Sequence, residues 1–118
     1  MNLGLLGYQH LPDEFSHWLE QSKIQIRHYK TADDFLLDEQ NAQLSMLLST
    51  YHLGGKSIID LLRKNQGLKH NINVVVTECQ GVNEAVQVMQ AGAKVALPGK
   101  VQSTKLISLV NQYGIERP

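Results

Sequence analysis

Ile72-Asn73-Val74-Val75-Val76-Thr77 carries three consecutive valines between polar residues, and the reading of this stretch sets the architecture. β-Branched residues favour extended backbone, and an unbroken apolar run belongs to a strand covered on both faces. Downstream, residues 82–91 place Val82, Ala85, Val86 and Met89 at helical spacing, a stripe expected to face inward. Gly92 suits the C-terminal stop of that helix. Val95-Ala96-Leu97 then forms another short strand. Ser103 to Tyr113 forms a closing helix with Leu106, Ile107 and Val110 on one side.

The same alternation runs upstream. Leu3 to Leu6, ended by Gly7, predicts a first buried strand. Leu11-Pro12-Asp13-Glu14 opens a helix whose face is Leu11, Phe15, Trp18 and Leu19, with its acids near the positive end of the dipole. Lys23-Ile24-Gln25-Ile26-Arg27 alternates polar and apolar like an edge strand. Thr31 caps a short helix that turns Phe35 and Leu36 inward. Leu44 to Ser49 forms the third strand, and Gly54-Gly55 breaks the chain before a helix holding Ile58, Ile59, Leu61 and Leu62. Five strands alternating with five helices predict an α/β fold. Its form is a single doubly wound (βα)5 parallel five-stranded sheet, flavodoxin-like, with right-handed crossovers and helices on both faces. Residues 1–118 make one domain. Ligands in such folds bind at the carboxyl ends of the strands, here Gly7 to His10, Ser49 to Gly55, Thr77 to Gly81 and Pro98 to Val101.

Composition narrows the function. Eleven basic and eleven acidic side chains cancel, which argues against a protein that grips the phosphates of nucleic acid. Apolar runs are far shorter than the roughly 20 residues that cross a bilayer. Met1-Asn2-Leu3-Gly4 lacks the features of a signal peptide. Cys79 is the single cysteine, so no internal disulfide forms, which fits a reducing cytoplasm.

Essentially along its whole length in element order, and most specifically after Ile72, the sequence resembles the receiver domain of bacterial two-component response regulators. Val74-Val75-Val76-Thr77 matches that family's fourth strand with its closing hydroxyl. Glu84-Ala85-Val86-Gln87-Val88-Met89-Gln90-Ala91-Gly92-Ala93 matches its fourth helix and Gly-Ala turn, and Leu61-Leu62-Arg63 its third helix. The resemblance implies phosphoryl transfer to an aspartate at the end of the third strand, with Mg²⁺ held by carboxylates and the product held by a hydroxyl and a lysine. This chain departs from that pattern. The acidic pair maps to Gly7-Tyr8, the phosphoacceptor to Ser49, and the lysine to Gly99 with Lys100 one residue late. Thr77 keeps the switch hydroxyl, while Val95, Ala96 and Leu97 leave no aromatic switch residue. A hydroxyl cannot form a labile acyl phosphate, so the resemblance implies a non-phosphorylatable pseudo-receiver, not an enzyme, with no cofactor and no metal.

The plainer readings stand beside these. Thr77 ends a strand as any Thr does, Ser49 and Thr50 bond local backbone, and Lys100 is solvated. Cys79 is expected in a loop, partly exposed, with nothing nearby to lower its pKa. His10, His17, His28, His52 and His70 show no metal-ligand spacing, although His10 and His52 both fall at the strand-end face. Phe15 and Trp18 belong to the core.

The resemblance therefore implies a protein–protein interaction module that dimerises or docks on a partner. The expected face is that of the fourth helix, fifth strand and fifth helix, through Gln87, Gln90, Lys94, Lys105 and Gln112. Ile115 to Pro118 is expected to be the edge of a longer protein whose output domain follows. An alternative is a flavodoxin-like cofactor-binding domain resembling cobalamin-binding domains. Residues 91–100 echo that family's terminal segment, and His10 follows the first strand as its metal-ligating histidine does. Tyr8 stands where that family has Asp, and Thr77-Glu78 where it has Gly-Gly. A phosphotransferase-system carrier domain would need its cysteine after the first strand, not the fourth.

Overall fold

Each valine of the deciding stretch is buried, with Val75 turned to one side of a sheet and Val74 and Val76 to the other. The structure is a computed structural model that describes residues 2–38, 43–67 and 72–114. His70 and Ile115 to Pro118 lie outside the described residues. In chain order the elements are β1 (Asn2–Leu6), α1 (Asp13–Gln21), β2 (Gln25–Tyr29), α2 (Ala32–Leu37), β3 (Met46–Thr50), β4 (His52–Leu53) and β5 (Lys56–Ser57). They continue as α3 (Ile58–Gly67), β6 (Asn73–Cys79), α4 (Val82–Gln90), β7 (Val95–Pro98) and α5 (Ser103–Tyr113). The main sheet is parallel in the order β2-β1-β3-β6-β7, as expected.

Two apolar layers flank it. Phe15 and Leu19 of α1 and Leu106, Leu109 and Val110 of α5 cover one face, over Leu3, Leu5, Met46, Leu48 and Val75. Phe35 of α2, Ile58, Leu61 and Leu62 of α3 and Val88 of α4 cover the other, over Leu6, Leu47, Val74 and Val76. Burial of these side chains, worth roughly 1.5–3 kcal/mol each, holds the layers together. Thr31 caps α2 as expected, accepting from the Asp34 N–H at 3.1 Å.

Four local expectations are corrected. The second strand begins two residues later than its alternation suggested, because Lys23 takes a left-handed turn (φ 57°) after α1. The third runs from Met46 to Thr50, with Leu44 buried ahead of it. The fourth extends to Cys79, so that thiol is 2% exposed inside a strand instead of lying in a loop. Burial raises its pKa, which keeps it a protonated thiol. Gly54-Gly55, expected only as a break, makes the two-residue turn of the β4–β5 hairpin. Both glycines have positive φ, 58° and 87°, as a tight hairpin turn demands.

The largest correction concerns α4. Val82, Val86 and Met89, expected to face inward, are 78%, 47% and 47% exposed, whereas Val88 is fully buried. The helix carries two apolar stripes, and spacing alone cannot choose between them. The turn after the helix chooses: Ala93 N–H donates to Val88 C=O at 3.1 Å, and Ala91 and Ala93 are buried beside Val88.

Candidate functional site

Strand order reverses between β1 and β3, and this is where an open parallel sheet leaves a crevice. A cavity of about 630 Å³ lies there. Residues Gly7 to Pro12 form one wall, Thr50 and His52 the floor and rim, and Thr77, Glu78, Gln80, Lys100 and Val101 the far side. Gly7 has to be glycine: its φ is 83°, and a Cβ would collide with Thr50 Oγ1 and come within 2.7 Å of Leu53 Cδ2.

The cleft's hydroxyls are engaged with the protein. Tyr8 Oη and Thr77 Oγ1 are 2.5 Å apart, bridging β1 to β6 over the end of β3. Thr50 Oγ1 donates to His52 C=O at 3.0 Å. Burial raises the Tyr8 phenol pKa, partly offset by the Thr77 hydrogen bond, so this hydroxyl stays protonated at neutral pH. His52 Nε2 stands 3.4 Å from Glu84 Oε1, tying the hairpin to the first turn of α4.

Of the positions singled out in the sequence, Thr77 and Lys100 line the cleft, Thr77 buried and Lys100 exposed. Ser49 does not. It is fully buried and donates to Thr50 C=O at 2.8 Å, and Thr50, one residue on, takes the place on the cleft floor. The strand ends at Thr50 instead of Ser49, and alternation along it turns Ser49 away. His10 and His52 both line the cleft, as their positions implied. Among the described residues that line it, Glu78 carries the one carboxylate, and no group of three or more His, Cys, Asp or Glu converges to hold a metal. The floor and wall present hydroxyls, a phenol and a glycine where phosphoryl chemistry needs carboxylates.

Gln87, Gln90, Lys94, Lys105 and Gln112 are all exposed, and Gln90 lines both grooves beside α4. Gln87 lies with Ile59 and Arg63 in a groove between α3 and α4, on the flank away from β7. The groove beside β7 is mainly apolar: Val82, Ala85, Val86 and Met89 line about 410 Å³ with Pro98, and Gln90 stands at its edge. Polar composition drew attention to the glutamines. The signal for the groove was the second apolar stripe of α4, already visible as Val82, Val86 and Met89. The role of Tyr8 was missed because its position was read only for a missing carboxylate.

No protein-family model and no curated protein matches the sequence. Solved structures do match. A signal receiver domain from Vibrio parahaemolyticus aligns with TM-score 0.80 and 18% identity over 95% of this chain and 88% of that one. A two-component response regulator from Clostridium difficile aligns with TM-score 0.81 and 12% identity over 96% and 94%. The beryllofluoride-activated NtrC4 receiver domain, solved as a dimer in solution, aligns with TM-score 0.80 and 12% identity over 96% and 95%. The chain thus has the fold of response-regulator receiver domains.

Proposed function

We propose that this chain is a receiver-type module of two-component signalling that accepts no phosphoryl group. It acts instead by docking, on a second copy or on a partner or attached output domain, through the face that α4 and β7 share. Its place is the cytoplasm; no described helix is long and apolar enough to cross a membrane. The observation that carries the proposal is the exposed apolar stripe Val82, Val86 and Met89 beside Pro98. Large apolar side chains gathered in one groove mark interaction surfaces more often than solvated ones do. The NtrC4 receiver's dimer supports self-association as one form of docking. The strand-end cleft supports the other half, since Gly7, Tyr8, Ser49 and Thr50 offer neither a metal-binding carboxylate nor an aspartyl nucleophile.

Two measurements test the two halves. Small-molecule phosphodonors with Mg²⁺ should leave the intact mass unchanged; an alkali-labile phosphate adduct refutes the first. Sedimentation over a range of concentrations should show an association that Val86→Glu weakens at least tenfold. A protein that stays monomeric and binds no receiver-linked partner, or an association indifferent to that charge, refutes the second.

A further inference from the structure

We propose that the Tyr8–Thr77 hydrogen bond is an internal latch that fixes the start of α4, holding the helix's exposed apolar face in one pose from within the fold. Its bearing on signalling rests on the docking reading above; the latch itself does not.

The geometry carries this in steps. β1 and β6 are not neighbours, because β3 lies between them. Backbone pairing links β1 to β3 and β3 to β6, yet Tyr8 reaches over the end of β3 to Thr77, 69 positions away, at 2.5 Å. Thr77 is only 1% exposed, so water cannot replace Tyr8 as its partner without the cleft opening.

Thr77 is also the last residue before an irregularity. Glu78 has φ 60°, and the register of β6 on β7 slips between Val76 and Cys79. A bulge bends a strand and interrupts its ladder. A non-glycine residue in that φ region persists only where its surroundings fix it. On the β7 side two bonds do so: Glu78 N–H to Gly99 C=O at 3.0 Å and Gly99 N–H to Cys79 C=O at 3.2 Å. On the β1 side the Tyr8 hydroxyl holds the residue just before it.

From the bulge the constraint passes to α4 over a short connection. Gln80 N–H donates to Glu84 Oε1 at 2.7 Å, so the helix's own third residue grips the chain that enters it. Val82, the first residue of α4, begins the apolar face. A hydroxyl in the β1–α1 loop therefore bears on the pose of a surface on the other side of the bulge.

Amide hydrogen exchange with Tyr8→Phe, Thr77→Val and the double variant tests this, since each single change removes one hydroxyl and keeps the shape. In either single variant, exchange at residues 78–86 should rise about tenfold, the size of one lost buried hydrogen bond. Leu47 and Leu109 should keep wild-type rates, and the double variant should go no further than either single one. Unchanged exchange at 78–86, a uniform rise along the chain, or additive effects would each overturn the latch. Should a variant not fold, the wild type still decides. A slowly exchanging Tyr8 hydroxyl proton with a cross-peak to Thr77 supports the latch, and its absence refutes it. Exchange is read on the monomer, so loss of the docking reading leaves this result standing. Conversely, Val86→Glu should weaken association at least tenfold without altering exchange at Gln80 to Glu84.

Discussion

The strand-end cleft and the outer face of α4 lie on either side of one bulge, and they differ in what their side chains engage. In the cleft, Tyr8 bonds Thr77, Thr50 bonds His52, and Gly7 leaves no room for a side chain. On α4, Val82, Val86 and Met89 stand exposed above Pro98 with no polar contact to excuse them. Satisfied polar groups stabilise a fold and leave little for a ligand to engage, whereas uncovered apolar area gains free energy only when something covers it. The difference teaches that two regions a few residues apart can be finished to different degrees, one with its polar groups paired inside the fold and the other with apolar area left uncovered.

The sharpest way to break that contrast is Gly7→Ala. The left-handed backbone and the collision with Thr50 and Leu53 predict a loss of about 3 kcal/mol, read by denaturant unfolding. A change below about 0.5 kcal/mol would mean the cleft floor is not the tightly fitted element described. Next in size is a pair on α4. Val88→Ala should cost about 2 kcal/mol, because its side chain is fully buried. Val82→Ala, 78% exposed, should stay within about 0.5 kcal/mol. Equal costs would contradict the phase of the helix.

The smallest effect is alkaline. Burial raises the Tyr8 phenol, so the folded chain keeps a proton that the unfolded chain releases near pH 10. A raised folded pKa contributes stability that is fully present below about pH 10 and is lost as pH rises beyond it, by at most about 1.4 kcal/mol per pH unit per group. Tyr29 and Tyr51 are raised as well, also chiefly by burial, and Cys79 begins its own decline from about pH 8.5. Tyr8→Phe should therefore flatten the decline in unfolding free energy only in part. An unchanged slope would mean the phenol is not held as described.

Much of the fold was legible because hydrophobic periodicity carries it. The three valines named the central strand, and the alternation of short apolar runs with helical stripes named the layers on both sides. What periodicity could not supply was phase and register. α4 offers two apolar stripes, and only the turn at Gly92-Ala93, packed against Val88, decides which one meets the sheet. At the site, Thr77 and Lys100 could be placed by counting, whereas Ser49 was misplaced by one position, and in a strand one position turns a side chain to the opposite face. The Tyr8–Thr77 pair was invisible for another reason. It joins residues far apart in sequence across an intervening strand, and nothing local in either segment announces the other. Gly54-Gly55 is the reverse case: a glycine pair between Leu53 and Lys56 is a short-range hairpin signal, more specific than the simple break it also makes.

That hairpin also has a practical side. Its tip points into open space, with nothing within 4 Å of where either glycine would carry a Cβ, while its base is held by Leu53 in the core and by His52 against Glu84. Exposed tips on anchored stems are where polypeptides accept foreign sequence. A short epitope or a dye-bearing cysteine spliced between Gly54 and Gly55 would ride at the lip of the cleft, a few residues before the start of α3. It would give an optical handle on the molecule that interrupts none of the five strands on which the sheet is built.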